Sequence, residues 1–265
     1  MRSDFQHVLV QFDAGVLTIT MNRPTVLNAF NDLMLQEMIE IVEATAQDEE
    51  IRCVVLTGAG RAFGAGQDLS LFANAQTEES ASTAHEHLRA YHRLVMGLQQ
   101  LPQPVIAAIH GVATGISLNI ALACDLRIAA DNARLSEAFA RIGLVPDGGG
   151  AYFLSRLLGS AKALELALLA EEINGAEAER IGLVNKCVPL ADFEEVVILL
   201  ARRLAHGPTR TYGLIKQLFH ESQDKDLAAV LQLEGDFQSR AINTADHREG
   251  VQAFMQKRPP RYSGK

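Results

Sequence analysis

Apolar and polar positions alternate at the start of the chain. Residues 7–12 and 16–21 form two β-rich runs around Asp13, Ala14 and Gly15, a pattern that predicts a hairpin. Asn22-Arg23-Pro24 breaks the second run, because proline fixes φ and lacks a donor. The spacing then lengthens. Leu33, Leu35, Met38, Ile39 and Val42 predict a helix with an inward apolar side, capped by Asn31 or Asp32. Residues 51–56 are nearly all apolar, as in a strand covered on both faces. Residues 70–82 are small and polar without periodicity, which predicts a mobile loop. Leu88, Tyr91, Leu94, Val95 and Leu98 predict a helix over 83–99, ended by Pro102 and Pro104. A second buried strand is expected at 105–109, an alanine-rich helix at 116–123 and a third strand at 126–130. Beyond these come helices at 161–169 and 174–182, a strand at 183–188, and helices at 191–204, 209–220, 227–240 and 245–256. No Pro-, Gly- or Ser-rich linker divides the chain. The change in element type predicts an α/β core over 1–190 and a helical C-terminal region over 191–265.

Two turns at strand ends carry the candidate chemistry. The stretch 57–69, TGAGRAFGAGQDL, holds Gly58, Gly60, Ala62, Gly64 and Gly66, which leave backbone N–H groups uncovered. No lysine follows the last glycine, and the glycine intervals do not match a dinucleotide fingerprint. Phosphate binding of either kind is therefore excluded. The second turn, 110–115, opens a helix at Ile116 whose first N–H groups lack internal partners. Taken singly, each is an ordinary surface turn; taken together, they form a split oxyanion hole for one carbonyl oxygen. A third run, 142–150, places Asp147 before three glycines. Asp147 is either the N-cap of the next helix or a desolvated carboxylate suited to proton transfer. No Gly-x-Ser-x-Gly elbow supports a hydrolase.

Composition limits the alternatives. The 265 residues are 48% hydrophobic and 21% charged, ordinary for a globular protein, and the net charge of −8 argues against nucleic acid or an anionic membrane as partner. No apolar run is long enough to span a bilayer, and the start of the chain lacks a secretory pattern, so a cytoplasmic protein is expected. Cys53, Cys124 and Cys187 are far apart in apolar surroundings and are expected in the core, with neither a disulfide nor a metal. His85 and His87 fall on different faces of their helix, which argues against a metal site there.

Several stretches resemble the crotonase, or enoyl-CoA hydratase/isomerase, family. They are Thr20-Met21-Asn22-Arg23-Pro24 with Leu27-Asn28-Ala29, and Arg61-Ala62-Phe63-Gly64-Ala65-Gly66-Gln67-Asp68-Leu69; the others are residues 108–115, 124–126, 143–147 and 248–254. The resemblance implies a spiral of repeated β-β-α units, a C-terminal helical region used in forming a homotrimer or hexamer, and an acyl-CoA substrate with no cofactor beyond its own CoA. It also implies the N–H groups of Gln67 and Ile116 as oxyanion donors, with Ala65, Gly66, Asp68 and Gly115 lining the thioester. The branched Ile116 stands where the family usually has glycine, so a narrowed pocket is expected. Arg23, with Lys257 or Arg258, is the candidate for the CoA phosphates.

Departures from the family pattern point to the reaction. Where the family's hydratases hold two glutamates, this chain has Asn119 and Phe139, neither able to exchange a proton; Glu137 lies two residues out of register. Asp147 stands where the family's double-bond isomerases place their carboxylate. Residues 57–69, 213–217 and 246–265 resemble members that isomerise a ring epoxide of a phenylacetyl-derived thioester. An isomerase acting through Asp147 is expected. The rivals are a hydratase using Asp147 and Glu137, and a silent acyl-CoA-binding scaffold; dehalogenation is disfavoured by the absence of tryptophan.

Overall fold

The computed structural model describes residues 4–72 and 79–265, with the side chains of 71–72 and 79–87 left outside the description. Its strands are β1 (Val8–Asp13), β2 (Val16–Met21), β3 (Cys53–Gly58), β4 (Ala62–Gly64), β5 (Val105–Ile109), β6 (Val112–Thr114), β7 (Leu126–Ala130), β8 (Arg134–Ser136), β9 (Ile173–Asn174) and β10 (Lys186–Val188). Its helices are α1 (Asp32–Ala46), α2 (Glu79–Gln100), α3 (Ile116–Leu122), α4 (Gly150–Leu169), α5 (Gly175–Arg180), α6 (Leu190–Ala205), α7 (Thr209–Ser222), α8 (Leu227–Ile242) and α9 (Ala245–Met255).

The expected hairpin pairs Val8 with Met21 through to Asp13 with Val16. β2 continues into a parallel array, so the large sheet runs β1-β2-β3-β5-β7-β10. Strand alternation explains why β3 and β5 read as unbroken apolar runs. Val54, Leu56, Val105, Ala107 and Ile109 point into a cluster with residues of α1, α2 and α3, whereas Cys53, Val55, Ile106 and Ala108 point into a second cluster. That second face is closed by α6, whose Phe193, Val197, Ala201 and Ala205 recur every four residues. Thus the first helix after residue 190 covers the sheet, and α7 to α9 lie beyond it.

Three times a strand of the large sheet passes within a few residues into a three-residue strand of a second sheet, ordered β4-β6-β8-β9, and then into a helix. These β3-β4-α2, β5-β6-α3 and β7-β8-α4 units are the spiral implied by the resemblance. Their short strands lie inside or beside the stretches read as turns from sequence, because three residues are too few to show a period of two.

Several expectations are modified. Leu69–Phe72 form a single 3₁₀ turn and α2 begins at Glu79, earlier than expected; of the anticipated loop, 73–78 lie outside the described residues, as do the side chains of His85 and His87. Cys187 is half-exposed, while Cys53 and Cys124 are buried as expected. α4 is broken at Gly159 (φ 75°, ψ 159°), so the helix expected after the Asp147 bend and the helix expected at 161–169 are two arms of one kinked element. Among the described residues no helix is long and apolar enough to cross a membrane.

One ion pair fastens α7 to the sheet. Lys216 Nζ lies 2.7 Å from Asp125 Oδ2 and donates to Gln103 O at 2.9 Å, and the same Asp125 oxygen accepts from Val105 N at 2.7 Å. Lys216→Met leaves the mostly buried Asp125 carboxylate without its cation, so a loss of about 3 kcal/mol is expected in denaturant unfolding at pH 7.

Candidate active site

Asn28 builds the first turn. It is fully buried at φ 57°, its Nδ2 donates to Ala59 O (2.9 Å) and Ala62 O (2.7 Å), and its Oδ1 accepts from Arg23 N (2.9 Å). His110 adds a ring hydrogen bond to Gly60 O at 3.1 Å. The chain then runs past Phe30 as a parallel bridge: Phe30 N donates to Gly66 O (2.8 Å) and Asp68 N donates to Phe30 O (2.9 Å). In such a bridge the middle residue turns its own N–H away from the partner strand, and that residue is Gln67. Ala65 N is taken by Leu27 O (2.9 Å) and Gly66 N by Ser117 Oγ (3.0 Å). Of the four N–H groups from Ala65 to Asp68, only that of Gln67 has no partner among the described residues. Its side-chain Oε1 accepts from Tyr91 Oη, a hydroxyl reached from α2.

Gly115 builds the second turn. Its φ of 55° and ψ of −131° lie where side-chain-bearing residues are strained, and its own N–H is taken by Ser136 O at 3.0 Å. The next N–H, that of Ile116, begins α3 and has no intrahelical acceptor. The bond from Gly66 N to Ser117 Oγ ties this helix start to the first turn. The Ile116 Cδ1 lies 2.2 Å from where a Cβ on Gly148 would stand, so the branched chain packs against the Asp147 bend.

Asp147 does not cap α4. The N-cap is Gly149 and makes no side-chain bond, while the Asp147 carbonyl accepts from Gly150 N (2.9 Å) and from Asn119 Nδ2 (2.8 Å). This leaves the carboxylate free for other chemistry. Asp147 Oδ1 is buried without a partner among the described residues, and burial pushes the carboxyl up to about 6. Phe139 is buried, its ring edge 3.7 Å from where a Cβ on Gly115 would stand, so it walls the second turn.

Sequence register left Glu137 outside the site, yet the fold brings it in. It is 1% exposed. Burial, reinforced by the Asp147 charge and partly offset by the Asn119 amide, pushes its carboxyl up to about 8. β8 shows too little alternation to announce an inward residue just past its end, so the sequence offered Glu137 only as an out-of-register rival acid. Tyr91, read from sequence only as a core residue, also reaches the site; burial and the nearby Asp147 charge hold its hydroxyl well above the usual range.

Of the basic candidates, Arg23 and Arg258 have internal partners. Arg23 Nη2 lies 3.0 Å from Asp68 Oδ2 and its Nη1 donates to Ala29 O, bracing the first turn. Arg258 pairs with both oxygens of Glu249 at 2.6 and 2.9 Å.

Two unpaired N–H groups on turns tied by Gly66 and Ser117, with a desolvated carboxylate on an adjoining bend, suit stabilisation of an enolate and movement of its proton. The sequence profile of the Enoyl-CoA hydratase/isomerase family matches residues 11–265, and the chain belongs to that family. It is 41% identical over 260 residues to the 1,2-epoxyphenylacetyl-CoA isomerase of Escherichia coli, covering 98% of this chain and 99% of that protein. A Rhodobacter capsulatus protein named "Probable enoyl-CoA hydratase" is 40% identical over 98% of this chain and 99% of its own. The crystal structure of an enoyl-CoA hydratase from Bacillus anthracis superimposes with a TM-score of 0.92 at 35% identity, over 98% of this chain and all of that one.

Proposed function

We propose that the protein is an acyl-CoA isomerase that shifts a double bond, or opens a ring epoxide, in an enoyl- or phenylacetyl-derived CoA thioester. The observation that carries this reading is the Asp147 carboxylate, uncapped and desolvated on the bend that packs against Ile116, while the positions of the hydratase acids hold Asn119 and Phe139. The thioester oxygen accepts from the N–H of Gln67 and Ile116. Asp147 removes a proton from carbon, the electron pair moves onto the held oxygen as an enolate, and the same carboxyl returns the proton at another carbon. One group suffices for such a 1,3-shift, and Phe139 excludes water and faces an aromatic acyl group. Ala65, Gly66, Asp68 and Gly115 line the thioester. Arg23 acts at the CoA phosphates only if it exchanges Asp68 for them, so its first role is to brace the turn.

The deciding assay presents linear 3-enoyl, 2-enoyl and phenylacetyl-derived CoA thioesters side by side. Isomerisation is expected to exceed water addition to crotonyl-CoA; fast hydration with slow isomerisation reverses the order. The placement of Glu137 near Asp147 supports one second reading, a hydratase using that carboxyl pair, and the same assay tests it. Because the base form of Asp147 is required, kcat/KM is expected to climb with pH through about 6. A profile flat from pH 5 to 7 removes Asp147 as the base.

A homotrimer, singly or paired into a hexamer, is proposed for the assembly. Its support is the apolar surface left by the last helices, where Phe254 is 82% and Met255 76% exposed.

A further inference from the structure

The two oxyanion donors stand on separate segments, and their alignment depends on what joins those segments. The pairing of β4 with β6 ends at Gly64 opposite Ala113, before the chain reaches either donor. Beyond that pair, one hydrogen bond crosses between 65–68 and 114–117 among the described residues. Gly66 N donates to Ser117 Oγ at 3.0 Å. Gly66 directly precedes Gln67 and Ser117 directly follows Ile116, so the bond joins the immediate neighbours of the two free N–H groups.

The local backbone makes this bond matter. Gly66 lies at φ 88°, which glycine enters without strain and leaves as easily, so its own conformation does not hold the peptide that carries the Gln67 N–H. Two partners hold it instead: Phe30 N donates to Gly66 O at 2.8 Å, and Ser117 Oγ takes Gly66 N. The serine in turn has little room to move. It is fully buried, and a Cβ added to Gly64 would stand 2.4 Å from its Oγ and 2.8 Å from its Cβ.

We infer that Ser117 is a positioning residue for the oxyanion site: its hydroxyl oxygen, by accepting from Gly66 N, fixes the Gln67 N–H relative to the Ile116 N–H so that both meet one carbonyl oxygen. This rests on the proposed thioester-holding role of those two groups. Without the hydroxyl, Gly66 N–H is a buried donor with no acceptor, and the turn shifts to find one. The shift turns the Gln67 N–H away from the shared oxygen and leaves the rest of the acyl-CoA contacts in place. Turnover therefore suffers more than affinity.

The test compares wild type, Ser117→Ala and Ser117→Cys, the last because a thiol is a weaker acceptor. Infrared difference spectra of phenylacetyl-CoA and hexanoyl-CoA, each carrying carbon-13 at the thioester carbonyl, read the donors without turnover. Two aligned donors draw the C=O band of the bound ester to lower wavenumber in the wild type. Ser117→Ala is expected to lose most of that displacement and Ser117→Cys part of it. In parallel, kcat for a linear 3-enoyl-CoA is expected to fall about 10- to 100-fold in Ser117→Ala, approaching the loss of one oxyanion donor, with KM changed by about twofold or less. The inference is overturned by a wild-type band in folded Ser117→Ala, whatever happens to turnover, or by a KM that rises as far as kcat falls. If Ser117→Ala does not fold, an unshifted band in Ser117→Cys overturns it equally. A wild type that displaces the band yet isomerises no 3-enoyl-CoA strikes the proposed function instead, and leaves the infrared comparison to judge Ser117. A wild type that displaces the band of neither thioester removes the oxyanion site, and the role of Ser117 with it.

Discussion

Asp147→Asn is expected to lower kcat by about 10²- to 10⁴-fold, the usual contribution of a positioned acid–base group, while affinity for a CoA thioester is retained. Asparagine keeps the shape of the side chain and the carbonyl that Asn119 holds, so the bend survives. Only the capacity to take a proton is lost. Stability should move the other way. A carboxyl raised to about 6 in the folded protein is disfavoured there as an anion relative to the unfolded chain, so folding loses stability as pH rises from about 3.8 to 6. At pH 7.5 Asp147→Asn is thus expected to melt above the wild type. Rapid-quench turnover, equilibrium binding and a melting curve check the three statements, and unchanged turnover takes the proton-carrier role from Asp147.

Gly115→Ala is expected to reduce kcat by about 10²-fold, the effect of losing one oxyanion donor, with a smaller change in KM. Space is not the obstacle, since the nearest atom to an added Cβ is Phe139 Cζ at 3.7 Å. The obstacle is the backbone at φ 55° and ψ −131°, where a side chain costs about 1–3 kcal/mol of strain. Relief of that strain rotates the peptide between Gly115 and Ile116, and that rotation swings the Ile116 N–H off its direction. A melting temperature lower by a few degrees should accompany the kinetic loss. Wild-type kcat in this variant would show that the Ile116 N–H does not hold the oxyanion.

Much of the frame was legible because its signals are local. The hairpin register follows from alternation about Asp13–Gly15, Asn31 caps α1 by accepting from Met34 N as its side chain allows, and the run 53–56 reads as a strand covered on both sides. The same holds for α6 to α9, whose ends fall within a few residues of their predicted places. The second sheet was not legible from periodicity, since β4, β6 and β8 have three residues each. Nor was the choice between a cap and an active carboxylate at Asp147. Both uses suit an aspartate before glycines, and only the positive φ at Gly148 and Gly149 moves the cap to Gly149. Ile116 illustrates a different limit. A branched residue predicts crowding, but where it crowds depends on what lies beside it, and here that is Gly148.

The two small-residue turns were determined by the sequence alone. Glycine and alanine at those spacings uncover the backbone whatever surrounds them, and a family resemblance over nearly the whole chain names the thioester such turns serve. Which N–H groups remain unpaired was decided by the tertiary structure. Phe30 takes the bonds on either side of Gln67, and Ser117 takes that of Gly66, from segments remote in the chain. Glu137 belongs to the same class of fact. A carboxyl's acidity depends on the water and charge around it, and it was the packing of three distant segments around Asn119 that removed the one and supplied the other.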